Sequence, residues 1–109
     1  ILLIMTIEIT DSNIETFLQK DKPLIIDFGA EWCSPCRTLA PIIEKLAAEY
    51  EGRINVGTCD VEDNNALATR YAIRNVPTLL FIRNGEVMER YVGVASAETL
   101  HEKFEALLR

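Results

Sequence analysis

The chain holds one tryptophan, one histidine and three cysteines among 109 residues, and each scarcity removes a class of function. A lone histidine, His101, with no second cysteine pair near it, cannot complete the four-ligand shell that zinc prefers, so no metal is expected. Three cysteines are too few and too unevenly placed for a disulfide-stapled secreted scaffold. Basic residues are also short, 11 Lys and Arg against 17 Asp and Glu, for a net charge of −6. Nothing in that balance neutralises a row of phosphates, which excludes nucleic acid as a partner. The apolar start Ile1-Leu2-Leu3-Ile4-Met5 is far too short to span a bilayer and lacks the basic flank and small-residue cleavage site of a leader. No membrane association is expected, and the cytoplasm is the default compartment. Repeats, linkers and low-complexity stretches are absent as well. Residues 5–109 are therefore expected to form one domain, with residues 1–4 an extension outside it.

What is present is a clean alternation of patterns. Thr6 to Ile9 reads as a short strand, and Ser12 with Glu15 has capping-box spacing before a helix carrying Ile14, Phe17 and Leu18. Lys20-Asp21-Lys22-Pro23 ends that helix. Leu24-Ile25-Ile26-Asp27-Phe28 is nearly continuous in apolar residues, as a strand covered on both faces should be. From about Cys33 to Tyr50 the period turns helical, with Leu39, Ile42, Ile43, Leu46 and Ala47 on one side and Pro41 inside, where a kink is expected. Ile54 to Val61 reads as a strand and Asn64 to Ala72 as a helix. Thr78 to Ile82 and Glu86 to Val92 are strands joined at Asn84-Gly85, a strong hairpin signal. Ser96 caps a last helix bearing Leu100, Phe104, Leu107 and Leu108. The order β-α-β-α-β-α-β-β-α predicts an α/β fold, with a mixed sheet of about five strands and helices on both faces.

Chemistry concentrates at Trp32-Cys33-Ser34-Pro35-Cys36. A disulfide across two intervening residues closes a ring so small that its entropic stabilisation is only about 2 kcal/mol, against roughly 4.7 kcal/mol for a hundred-residue loop. Such a pair serves better as a switch opened and closed by thiol–disulfide exchange than as a staple. Cys33 falls where strand gives way to helix, and unpaired helix N–H groups there stabilise a thiolate. It is expected to be the exposed nucleophile, with Cys36, one turn in, more buried and resolving the mixed disulfide. Asp27 is a carboxylate inside an apolar strand. Burial without a counter-ion should raise its pKa and make it a base for the Cys36 proton. Pro35 fixes φ and limits the motif to few geometries. Cys59, in a strand-like run, is expected to be a buried small hydrophobe dispensable for turnover.

These residues, with Val76-Pro77-Thr78 downstream, Asn84-Gly85 and Gly93, resemble the thioredoxin family in order and spacing from Met5 onward, as a small bacterial-type member. The resemblance implies a thioredoxin fold and protein-disulfide reduction through a reversible Cys33–Cys36 disulfide. It implies no bound cofactor, NADPH drawn on indirectly through a thioredoxin reductase, disulfide-containing client proteins as partners, and a monomer active in cell redox homeostasis. Pro77 would be a cis-proline facing the cysteine pair, leaving the backbone of Arg74, Asn75 and Val76 to meet an extended client segment. Trp32, Val76, Pro77 and Gly93 would form the client-binding rim. Three positions depart from the family. Ser34 replaces a common Gly and, with Pro35, is expected to tune the potential. Thr58 stands where a Lys often neighbours the buried Asp. Gly29 stands where a bulky aromatic is common, so a compensating side chain or a looser loop is expected. A docking module with incidental redox state, or an oxidase or isomerase running in reverse, are the rival readings of the same residues.

Overall fold

The computed structural model describes residues 4–18 and 21–109. Its elements are β1 (Ile7–Glu8), α1 (Ile14–Leu18), β2 (Leu24–Gly29), α2 (Ser34–Glu49), β3 (Asn55–Asp60), α3 (Asn65–Arg70), β4 (Thr78–Arg83), β5 (Glu86–Val92) and α4 (Ala97–Leu108). The predicted order holds element for element. The helix stop expected at Lys20 to Pro23 lies partly outside the described residues; α1 is helical to Leu18.

Five strands form one sheet in the order β1-β3-β2-β4-β5. β1 and β2 flank β3 in parallel, whereas β4 runs antiparallel to both β2 and β5. Because strand side chains alternate, the central β2 sorts its residues between two cores. Leu24, Ile26 and Phe28 join Ile14 of α1 and Leu67 of α3 on one face. Ile25 packs on the other with Leu39, Ile43 and Leu46 of α2 and Leu100 and Phe104 of α4. Asp27, two residues beyond Ile25, shares that second face. α2 continues unbroken through Pro41, although the ring removes one ladder hydrogen bond. Asn84 (φ 53°) and Gly85 (φ 78°) turn β4 into β5, the left-handed pair that a two-residue hairpin requires. The far edge of the sheet, β5, alternates Glu86, Glu89 and Arg90 with exposed Met88 and Val92, and its pairing with β4 slips at Phe81/Ile82.

Two caps differ from the sequence pattern. Ser12 does not cap α1; its hydroxyl lies 3.0 Å from that of Thr10. The reciprocal box is built two residues earlier, Thr10 N–H donating to Asn13 Oδ1 (2.8 Å) and Asn13 N–H to Thr10 Oγ1 (3.2 Å), because Asn at the third position reaches back as Glu would. α3 is capped from outside its own sequence. Asp11 accepts from the Leu67 N–H at 2.9 Å, and buried Asn64 ties that loop down by accepting from Asp11 N–H at 3.0 Å.

The seat of β1 depends on one missing side chain. A β-carbon at Gly57 would fall 2.3 Å from Ile9 Cγ1 and 3.0 Å from the Ile7 carbonyl oxygen, and Ile9 is fully buried there. Gly57→Ala is therefore expected to lower stability by about 1–3 kcal/mol through overpacking. Urea unfolding reads this, and adding Ile9→Ala should cost less in the Gly57→Ala background than in the native chain; equal costs would show that the two positions do not meet.

Candidate functional site

β2 ends at Gly29 and α2 begins at Ser34. Parallel pairing of β2 with β3, in register through Gly29↔Asp60, brings the segments after both strands to the same end of the sheet. Cys33 is the N-cap of α2: its Sγ accepts the Cys36 N–H at 3.2 Å, and Pro35 occupies the first turn, where its missing N–H is harmless. Cys33 and Cys36 are joined as a disulfide, their Cα atoms 5.3 Å apart. The Cys33 sulfur is thus held against unpaired N–H groups and the positive end of the helix dipole, which favours a thiolate once the bond opens.

One expectation is corrected here. Cys33 is not the more exposed of the pair: it is 4% exposed against 8% for Cys36. Cys33 sits 3.7 Å from the Val76 carbonyl oxygen and packs with Ala30, Cys36, Val61 and Val76, so the loop before Pro77 covers it. Cys36 is buried as well, and lines a cavity with Gly29, which contributes no side chain there. A compensating side chain or a looser loop was expected at that glycine; β2 keeps its pairing through Gly29, and Gly29 lines a cavity.

The Val76–Pro77 peptide is cis, as the resemblance implied. Gly93 (φ 103°) donates its N–H to the Pro77 carbonyl at 2.9 Å, tying the strand exit after β5 to the same loop. Trp32 is 66% exposed and its Nε1–H donates to Glu62 Oε1 at 2.8 Å. Trp32, Val61, Ile73, Arg74, Asn75 and Val76 enclose a groove of about 290 Å3. Val76 therefore meets the disulfide at Cys33, Trp32 adjoins it in the chain, and Pro77 and Gly93 are tied to the loop that carries Val76. Ser34 is exposed at the start of α2, and its carbonyl accepts from Thr38 Oγ1 at 3.4 Å. Glu62, Val61 and Ile73 were not singled out from sequence. The available signal was topological, since residues just past β3 must adjoin residues just past β2.

Asp27 faces the α2 side of the sheet opposite Thr58, so the neighbour where a lysine was looked for is a hydroxyl residue. Its Oδ1 is buried with no hydrogen-bond partner. Loss of hydration raises its pKa from 3.8 to about 7, because a charged carboxylate there has nothing to replace water. Asp27 and Cys36 line one cavity of about 250 Å3 with Gly29, Ala40 and Thr58. Cys59 points to the opposite core, 2% exposed, with its thiol pushed up to about 12 mainly by burial; such a thiol is inert near neutral pH. His101 stacks near Tyr50, ring centres 5.7 Å apart. Among the described residues no group of three or more His, Cys, Asp or Glu is placed to hold a metal ion, and no helix is long and apolar enough to cross a membrane.

Comparison with known proteins agrees with this geometry. A family model described as Thioredoxin matches residues 5–106. A thioredoxin of Chlorobaculum thiosulfatiphilum is 39% identical over 99 residues, which cover 90% of this chain and 92% of the relative. Thioredoxin 1 of a Nostoc strain is 36% identical over 99 residues, with the same coverage of 90% and 92%. A chloroplastic M-type thioredoxin of Spinacia oleracea is 39% identical over 102 residues, which cover 93% of this chain and 56% of that longer relative. A paired Cys33–Cys36 at the head of α2, on a five-stranded sheet of this order and with relatives of this kind, places the chain in the thioredoxin family.

Proposed function

We propose that residues 5–109 form a single-domain protein-disulfide reductase that contributes to cytoplasmic redox homeostasis, and that Cys33, Cys36 and Asp27 carry its chemistry. The observation that supports this most is the Cys33 sulfur capping α2 in a disulfide with Cys36. In the reduced protein, Cys33 thiolate attacks one sulfur of a client disulfide, and the client's other sulfur leaves with the electron pair. Cys36 then gives its proton to the Asp27 carboxylate and attacks Cys33 Sγ. The second client sulfur leaves as a thiolate, and Cys33–Cys36 is again a disulfide. A carboxylate with a pKa near neutrality suits this task, since it is partly ionised yet holds a proton well once it has taken one.

The groove between Trp32 and Val76 is the seat for an extended client segment, with Pro77 and Gly93 fixing the loop that carries Val76 and Ser34 and Pro35 setting the reduction potential of the pair. Trp32 gives an exposed apolar face fixed by Glu62, a combination suited to binding many clients by shape. Electrons to restore the dithiol come from NADPH through a flavin-dependent thioredoxin reductase, with no cofactor bound to the chain itself, which acts as a monomer.

Insulin reduction tests the assignment. Wild-type protein with a dithiol reductant is expected to precipitate insulin chains, and Cys33→Ser to lose that activity, because the nucleophile that opens the client disulfide is gone. Full activity in Cys33→Ser would remove Cys33 as the nucleophile, and a wild-type protein no faster than the reductant alone would leave a docking role in place of the reductase.

Asp27→Asn separates catalysis from stability. Stopped-flow measurement should show resolution of a Cys33 mixed disulfide slowed by about 100-fold or more at about pH 8, with formation much less affected. The native resolution rate should rise as pH increases through about 7, where Asp27 ionises, and the variant should lack that rise. Stability should move the opposite way. The folded pKa lies above the unfolded one, so neutral Asp27 is tolerated below about pH 4, and the native chain loses stability relative to Asp27→Asn as pH climbs to about 7. The variant should be more stable by a few kcal/mol at about pH 8 and close to native at about pH 3.5; a constant difference across that range would remove the titration from the account.

A further inference from the structure

The carbonyls of Asn75, Val76 and Pro77 follow one another just before β4, and each meets a different partner. Pro77 has no N–H, so this loop cannot satisfy its own backbone as a regular element would. The Pro77 carbonyl accepts the Gly93 N–H at 2.9 Å. The Asn75 carbonyl accepts the Thr78 hydroxyl at 2.6 Å. Between them, the Val76 carbonyl oxygen lies 3.7 Å from Cys33 Sγ. Thr78 is 1% exposed and opens β4 with strand partners on both sides, Phe28 of β2 and Val92 of β5. Its hydroxyl is therefore a fixed point. With the peptide planes before and after it both tied, the Val76 carbonyl is held towards the sulfur. Valine would suit a buried strand start as well as threonine does, so packing alone does not call for that hydroxyl.

We propose that Thr78 is a positioning residue for the redox pair: its hydroxyl, through the Asn75–Val76 peptide, holds the Val76 carbonyl against Cys33 and restrains ionisation of that thiol. The proposal rests on the reductase reading in taking Cys33 as the attacking sulfur. Two influences then meet at Cys33. The start of α2, with the Cys36 N–H 3.2 Å from the sulfur, favours the thiolate. The Val76 carbonyl acts the other way, since it accepts a hydrogen bond from S–H and repels a charged sulfur. That restraint has a use. A thiolate that forms too readily is a weaker nucleophile, and attack is fastest when the thiol ionises near the ambient pH. Charged and titratable groups on the elements around the pair are Cys36 and Arg37 of α2, Glu31 before it, and Asp27 of β2. Asp60, Glu62 and Asp63 stand at and past the end of β3, and Arg74 on the loop before Pro77. Removing the Thr78 hydroxyl leaves all of them in place.

The test is the pH profile of Cys33 alkylation. Reduced full-length native protein, Thr78→Val and Thr78→Ser are pulsed with iodoacetamide from about pH 5 to about pH 10, and the label at Cys33 is quantified by mass mapping. Thr78→Val should hold about threefold or more thiolate at a pH below both midpoints. Once both are fully ionised it should react more slowly than the native chain, because nucleophilicity falls as ionisation becomes easier. The two profiles therefore cross, whereas a loop that had merely loosened would speed labelling at every pH. Thr78→Ser keeps the hydroxyl and should follow the native profile, although it gives up a buried methyl group and some stability. Thr78→Ala, which also lacks the hydroxyl, should shift as Thr78→Val does and serves if the valine variant does not fold. In the native chain, isotope-labelled at the Val76 carbonyl carbon, the NMR shift of that carbon should move as Cys33 titrates and lose that movement in Cys33→Ser. Profiles that do not cross, a serine variant displaced as far as the valine one, or a Val76 carbonyl silent to Cys33 would each overturn the proposal. Ionisation is followed here with no client present, so insulin reduction by the native chain, measured alongside, reads the reductase assignment separately.

Discussion

Four residues separate the end of β2 from the start of α2, and that abrupt change from strand to helix is the constraint on which the site depends. A strand exhausts its hydrogen-bonding capacity sideways, into its neighbours, whereas a helix leaves its first N–H groups pointing forward and unpaired. Joining the two over so short a link puts those N–H groups at the end of a sheet, facing whatever the link carries. Here it carries Cys33. The sheet supplies rigidity, with β2 fixed between β3 and β4 over its length, and the helix supplies the partial charge. Had the link been longer, the sulfur would sit on a loop with neither.

The same β2 sets a cost against that gain. Its alternation sends Asp27 into the face packed by α2, where Oδ1 is buried without a hydrogen-bond partner and loss of hydration raises the pKa. A methyl-bearing residue would fill the position with no penalty from ionisation, so under the proposed mechanism the carboxylate is stability given up for proton transfer. Thr58 on the facing strand makes the bargain sharper, because a hydroxyl cannot neutralise an ionised Asp27 as a cation would.

Legibility in the sequence followed the range of the interaction. Every strand and helix was apparent from periodicity and turn residues, since those are set within a few positions along the chain. Asp27 stood out because one charged residue among four apolar ones breaks a local rule, and Cys33 because its place at a strand–helix junction is itself local. What escaped was non-local. Ser12 and Thr10 are equally good capping residues on paper, and Asn13 decided between them by reaching back. Asp11 caps a helix more than fifty positions away, which no window of sequence contains. The burial of Cys33 turned on Val76, which reaches it from more than forty positions away in the chain. Glu62 beneath Trp32 is of the same kind.

A protein whose working end is apolar and open to many partners faces the risk that its other surfaces attract them too. An open sheet has two borders where backbone groups lack neighbours, and each invites a foreign strand. At one border the chain offers only two residues, Ile7 and Glu8, too little for a visitor to grip. At the other, Glu86, Glu89 and Arg90 interrupt the apolar positions, and the slipped pairing beside Phe81 bends the ribbon away from flatness. Strand addition at the borders is thereby discouraged, and the end that carries the disulfide is left as the place where a partner that binds can also be reduced and released.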